Sequence, residues 1–290
     1  MFPENSYGMV KRFLFLEETI RVLAPKEVLD IGCGNGYYLT VPLAIRFHGI
    51  RFFGTDTDGG SIEQARSANN LRNLEFSSPE EIQAGRKFDL VIASEVIEHI
   101  EDPGKFLESL KGRLKAGGRI FLSMPNGYGP FEISCFLEAM THLILVRPLK
   151  RGKQAFLTLT RRNAKKPGIS RGTGMVKDTL AASPHVNFFP YKTICRLIEN
   201  AGLRIIHFRP RTFLCGYLFD RMFRSDRWIL WNVRIADRLP ICFASDWMFI
   251  LEINPRSEGG GPSYHRSAFG RFRRWLSLHR LLDETGSKFR

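Results

Sequence analysis

Three groups of residues in this sequence have types and spacings that suit chemistry. Val28-Leu29-Asp30-Ile31-Gly32-Cys33-Gly34-Asn35-Gly36 is an apolar run that ends in a glycine cluster. Such a loop lets a ligand touch bare backbone, because no Cβ intervenes. The dinucleotide fingerprint GxGxxG would need glycine at 37, and Tyr37 stands there. Asp56 ends the next apolar run, 20 residues past Gly36. A carboxylate at that place can accept both ribose hydroxyls of a bound nucleoside. Glu95, Glu98 and His99 recur at i, i+3 and i+4, which share one face of a helical turn. Two carboxylates and an imidazole so placed can hold Mg²⁺ or Zn²⁺ and lower the pKa of an acceptor hydroxyl. The bland alternative is that Glu98 and His99 only fix the turn into the next helix. His99 and His185 are the candidate general bases.

The elements that must position these residues follow from periodicity. Residues 9–23 carry apolar side chains at helical spacing, which predicts an amphipathic helix. Glu27 to Ile31 reads as a strand, 37–47 as a helix with Pro42 near its start, and Arg51 to Asp56 as a second strand. Ser61 is the expected cap of a helix over 62–70. Leu74 to Phe76, Phe88 to Ala93 and 119–124 read as further strands, with a helix over 103–114 led by Pro103. Strands alternating with helices at this spacing predict an α/β fold with a doubly wound, mostly parallel sheet. Beyond Pro125-Asn126-Gly127, the chain predicts a helix over 191–201 closed by Gly202, then strands at 203–208 and 247–253. Residues 267–282 predict a basic amphipathic helix, with Phe269, Phe272, Trp275, Leu276 and Leu282 roughly on one side.

The spacing Asp-x-Gly-x-Gly-x-Gly at 30–36 resembles motif I of class I S-adenosylmethionine (SAM) methyltransferases. The segments FDLVIASEVIEHIEDPGKFLESLKGRLKAGGRIFLSMPNG (88–127) and HVNFFPYKTICRLIENAGL (185–203) are similar to those of quinone-biosynthesis O-methyltransferases and their relatives. The resemblance covers roughly residues 25–127 and 185–210. It implies a Rossmann-like sheet of seven strands with enlarged insertions over the substrate. It also implies that Asp30, Gly32, Cys33, Gly34 and Gly36 form the loop around the methionine part of SAM. Asp56 would hold the ribose, and Ser94 would lie against the cofactor. The sequence departs from the pattern after the third strand: many relatives have an acid near the adenine, and here the chain reads Phe76-Ser77-Ser78-Pro79. Methyltransferases acting on catechols or on the terminal ribose of small RNAs have a similar ExxEH arrangement, the latter with a further histidine downstream. His185 would take that part here.

The chain divides into a SAM-binding part (1–127), a basic insertion that would cover the substrate (128–190), the rest of the catalytic domain (191–254, with an insertion at 212–243) and a basic tail (255–290). The 290 residues, 43% hydrophobic and with 24 Phe, suffice for a large core and exclude a disordered chain. Five cysteines without a CxxC pair suggest neither a zinc cage nor a redox dithiol. The first ten residues lack an apolar core, and no run of about 18 apolar residues occurs, so a cytoplasmic protein is expected. Net charge is +14, but residues 1–127 hold 15 basic and 17 acidic side chains, and the remainder 28 and 12. Ten Lys and Arg fall between Arg147 and Lys177 without one acid. This half suits an anionic partner: a substrate, a nucleic acid, or a membrane surface met peripherally. Aromatic residues of the insertions (Phe131, Phe136, Phe156, Phe213, Tyr217, Phe219, Phe223, Trp228, Trp231), interleaved with Arg221, Arg224 and Arg227, suit a large acceptor with an apolar body. Three functions follow as expectations. The first is O-methylation of a small or lipid-linked metabolite. The second is 2′-O-methylation of a small RNA, although no RNA-binding module is recognisable. The third is a SAM-binding, membrane-associated protein without catalysis.

Overall fold

The computed structural model describes residues 6–146, 148–149, 185–215, 225–256 and 264–285. Seven strands are present: β1 (Glu27–Ile31), β2 (Arg51–Thr55), β3 (Leu74–Ser77), β4 (Phe88–Ser94), β5 (Leu114–Pro125), β6 (Leu203–Pro210) and β7 (Asp246–Ile253). They form one sheet in the order β3-β2-β1-β4-β5-β7-β6. The first five pair in parallel. The β5–β7 and β7–β6 pairs are antiparallel. The sheet is therefore mixed, with its strand order reversing between β1 and β4. Ligands of open α/β sheets bind at the carboxyl ends of the strands beside such a reversal.

Eight helices accompany the sheet among the described residues: α1 (Ser6–Leu23), α2 (Thr40–Arg46), α3 (Gly59–Ala68), α4 (Pro103–Gly112), α5 (Pro130–Thr141), α6 (Tyr191–Asn200), α7 (Asp226–Ala236) and α8 (Ala268–Thr285). The period-2 alternation of the strands splits the core in two. Val28, Phe52, Leu90, Ile92 and Phe121 pack with Phe15 and Leu16 of α1, Leu43 of α2 and Ile62 of α3. Leu29, Phe53, Val91, Ile120 and Phe249 pack on the opposite face with Leu107 of α4 and Leu197 of α6. Each such side chain contributes about 1.5–3 kcal/mol through burial.

Local chemistry corrects several boundaries. Asp58, not Ser61, caps α3, its carboxylate accepting from the Ser61 amide at 3.0 Å. α2 begins at Thr40 rather than 37, which leaves Pro42 in the first turn, where its missing N–H costs least. α4 is capped by Asp102, whose carboxylate takes the Lys105 amide at 3.1 Å. Gly202 closes α6 with φ +74°, a conformation that disfavours a Cβ. The tail helix α8 packs on α5. Most of the basic run Arg147–Lys177, with Phe156 in it, lies outside the described residues, as do Tyr217, Phe219, Arg221, Phe223 and Arg224. No helix among the described residues is long and apolar enough to cross a membrane.

Candidate functional site

The glycine loop leaves the carboxyl end of β1 beside the end of β4, since Ile31 pairs with Ala93. Gly32, Gly34 and Gly36 adopt φ values of +72°, +55° and +72°. At Gly32 a Cβ would lie 2.5 Å from the Val96 side chain, so the loop rests directly on the turn after β4. The Gly32 and Cys33 amides both donate to the Thr55 carbonyl, at 2.7 and 3.0 Å. Asp56, one residue on, accepts from the Gly34 amide at 2.8 Å and from the Asp58 amide at 2.9 Å. Loop and carboxylate are thus one hydrogen-bonded unit. A carboxylate has about four acceptor sites, so Asp56 keeps capacity for two ribose hydroxyls. Phe76 lies beneath the loop, against Gly36 and Gly54.

Asp30 and Cys33 support the loop from below. Asp30 is buried and accepts from the Thr40 hydroxyl at 2.6 Å, tying β1 to the start of α2. Burial pushes its carboxyl up to about 7, against the pull of the Thr40 hydrogen bond and the Arg12 charge. Burial likewise raises the Cys33 thiol, with the Asp30 and Asp56 charges adding to it. A thiol held neutral in this way has packing value and no nucleophilic role.

Ser94, Glu95, Glu98 and His99 follow in the turn after β4. Glu95 adopts φ +57°, uncommon for a residue with a Cβ, and only Ile97–His99 forms a helical turn, of the 3₁₀ type. The expected shared face of Glu95, Glu98 and His99 is therefore broken. Glu95 turns away: Ser123 donates to it at 2.7 Å and Arg211 lies 3.5 Å off. Burial opposes its charge, but Arg211, Arg12 and the Ser123 hydroxyl hold its carboxyl below the usual range. Ser94 accepts from Arg12 at 2.9 Å and shares a hydrogen bond with Ser123 at 2.9 Å. A polar chain thus runs Arg12–Ser94–Ser123–Glu95–Arg211, and Arg211 pairs onward with Asp246 at 2.8 Å.

His185 takes the place expected of Glu95. Ligand atoms of Glu98, His99 and His185 all lie within 4.8 Å of one another. The two imidazole rings meet edge to face at 4.9 Å. Glu98 is 2% exposed, and neither of its carboxylate oxygens has a hydrogen-bond partner among the described residues. Burial, with the Glu95 charge next, raises its carboxyl well above the usual range. His185 donates from Nδ1 to Glu132 at 2.5 Å. Burial disfavours the charged His185, but Glu132, then Glu98 and Glu95, raise it to about 9. A buried carboxylate without a hydrogen-bond partner, its Oε1 3.9 Å from His99 Nε2 and with a second imidazole beside it, is a donor set that a divalent cation fits, and a histidine anchored by a carboxylate is the usual support for such a ligand.

Sequence reasoning did not single out Arg12, Ser123, Glu132, Arg211, Asp246 or Arg273. Glu132 had one visible signal, as an acid in the apolar stretch 131–146. Arg273 had none, since it stands among many basic residues of the tail.

The "Methyltransferase domain" family matches residues 7–208. The ubiquinone biosynthesis O-methyltransferase of Rickettsia felis is 36% identical over 104 residues, which is 34% of this chain and 41% of that protein. The malonyl-[acyl-carrier protein] O-methyltransferase of Acetivibrio thermocellus is 36% identical over 99 residues, 33% of this chain and 35% of that one. The chain spans half or less of the length of these curated relatives. A solved SAM-dependent methyltransferase of Clostridium acetobutylicum superposes with TM-score 0.49 at 13% identity, covering 86% of this chain and 92% of that one. With the family match running from α1 through most of β6, the chain belongs to the class I SAM-dependent methyltransferases.

Proposed function

We propose that the protein methylates a hydroxyl of a small or lipid-linked acceptor, with SAM as donor and a divalent cation held by Glu98, His99 and His185. The observation that carries this reading is the buried Glu98 carboxylate, which has no hydrogen-bond partner among the described residues, beside two imidazoles, that of His99 in the turn after β4 and that of its neighbour His185. Bound SAM supplies an electrophilic methyl group on a sulfonium, and Mg²⁺ or Zn²⁺ supplies a charge that favours an ionised acceptor hydroxyl. The chain's own residues bind and orient. The loop from Gly32 to Gly36 with Asp56 holds the donor, and alignment of donor and acceptor is the main requirement of such a displacement. His99 and His185 serve there as ligands; the role of general base expected of them would need a free lone pair, which a bound cation takes up. Glu95 is held as a carboxylate by Arg211 and Arg12, and it is a buttress of the turn rather than a member of the cation set.

The surface beside this site supports an apolar acceptor. α5 buries Glu132 and Ala139 and exposes Ile133 (51%) and Leu137 (59%). α8 contributes Phe272 and Trp275, each 42% exposed and stacked on one another. Exposed Arg271 follows on the same helix, and the cationic run from Arg147 follows α5 in sequence. Apolar side chains beside cations suit contact with an anionic membrane surface from the cytoplasmic side.

The test is incubation of labelled SAM with fractionated extracts, with and without EDTA. The expected result is label in a lipid or small-metabolite fraction, lost on chelation and restored by Mg²⁺ or Zn²⁺. Label in RNA would replace the acceptor class, and full activity after exhaustive chelation would remove the cation.

A further inference from the structure

The family match ends at residue 208, yet the Glu98 cluster is held from beyond it. Arg273, on α8, is 4% exposed. Its guanidinium donates to Glu132 Oε2 at 2.7 Å, to the Glu132 carbonyl at 3.3 Å and to the Gly127 carbonyl. It also lies 3.8 Å from the centre of the Phe188 ring. The other oxygen of Glu132 accepts from His185 Nδ1. The path Arg273–Glu132–His185 therefore runs without a gap from the tail into the cluster.

Two facts separate this path from a clasp that merely fastens the tail. The tail already has one: Arg266 binds the Glu101 carbonyl and side chain, and Arg274 binds the same carboxylate at 2.9 Å. Burying a second ion pair is costly and adds little stability over apolar packing. In addition, α5 buries Glu132 together with Ala139 while Ile133 and Leu137 stay outside, so an acid occupies a place on the helix's inner face that an apolar side chain could fill.

We infer that Arg273 is a positioning residue. It fixes the Glu132 carboxylate, which fixes the ring orientation and tautomer of His185. With its Nδ1–H donated to Glu132, His185 presents Nε2 to the cluster, where a bound cation would take the place of the Nε2 proton. The inference rests on reading Glu98, His99 and His185 as a cation site.

The test compares full-length Arg273→Gln, Arg273→Lys, Glu132→Gln and Arg271→Gln, the last a control on the exposed side of α8. Three quantities are measured: SAM affinity and Mn²⁺ affinity by calorimetry, and the His185 ring signals by NMR, assigned through His185→Gln. Arg273→Gln should keep SAM affinity, weaken Mn²⁺ binding by about 10–100-fold and move the His185 signals as Glu132→Gln does. Arg273→Lys should recover part of the Mn²⁺ affinity, because it restores the charge but not the fork. A folded Arg273→Gln protein with wild-type Mn²⁺ affinity and unmoved His185 signals overturns the inference. Should Arg273→Gln fail to fold, wild-type behaviour of Glu132→Gln has the same force. If the unaltered protein binds no Mn²⁺, the cation reading fails, and the positioning role is judged on the His185 signals alone.

Discussion

At Asp56 a single carboxylate ties Gly34 to Asp58 and keeps lone pairs with which, on the proposed reading, it would hold the ribose of SAM. Asp56→Ala should cost on the order of 2–3 kcal/mol of SAM binding, because a charge-assisted contact to two hydroxyls is lost. Calorimetry on a folded variant with unchanged SAM affinity would contradict this role. Asp30 gives a different signature. Its carboxyl is raised to about 7 in the folded chain, where Arg12 and Asp56 are its charged neighbours. In the unfolded chain it titrates near ~4. The unfolded state therefore loses this proton first, and the group lowers stability as pH rises from about 4 to about 7, by up to about 1.4 kcal/mol per pH unit. Asp30→Asn keeps an acceptor for the Thr40 hydroxyl and removes the titration. Urea unfolding at pH 5, 6 and 7 should show a shallower decline in this variant than in wild type. Equal slopes would mean that Asp30 is ionised throughout.

The loop between β1 and α2 acts as one element with the turn after β4. Gly32→Ala meets two obstacles. A positive φ costs a residue with a Cβ about 1–2 kcal/mol. The Val96 side chain, 2.5 Å from the new methyl, adds about 1–3 kcal/mol of overpacking. Thermal unfolding should fall accordingly, and Val96→Ala in the same chain should return the packing part and leave the backbone part. Additive losses in the double variant would show that the two segments do not touch. The turn after β4 departs from helical periodicity through a contact of its own. Glu95 is caught by Ser123 of β5 and by Arg211, just past the end of β6. The i, i+3, i+4 rule requires a continuous helix, and here only three residues form a turn.

At the scale of the molecule, α5 and α8 stand together beside the Glu98 cluster, with apolar and aromatic side chains outward. Cosedimentation with vesicles at low salt should show binding to membranes containing phosphatidylserine and not to neutral phosphatidylcholine. Each nearby Lys or Arg contributes about 1 kcal/mol, which salt screens. Replacing Ile133, Leu137, Phe272 and Trp275 by Ser should weaken that binding and leave SAM affinity intact. Deleting the tail is a poor test, since Leu276 and Arg273 are buried and the deletion would strip Glu132 of its cation. Absence of binding to either vesicle at low salt would leave a soluble anionic acceptor as the better reading.

The sequence by itself determined the sheet and the glycine loop on which the proposed donor site stands, because both rest on local rules. Apolar alternation marks strands, capping residues mark helix ends, and a glycine loop followed by Asp56 lies within one βαβ unit. It also marked Glu98, His99 and His185 as residues with chemistry. Only the tertiary structure decided which of them meet. Glu95 leaves the group and His185 enters it, because β5 and Arg211 claim the first while Glu132 holds the second. Glu132 and Arg273 lie 141 residues apart, and their pairing has no periodic or local signal. Whether a basic tail lies loose or completes a site depends on which acid it finds buried, and that is settled by packing between distant segments.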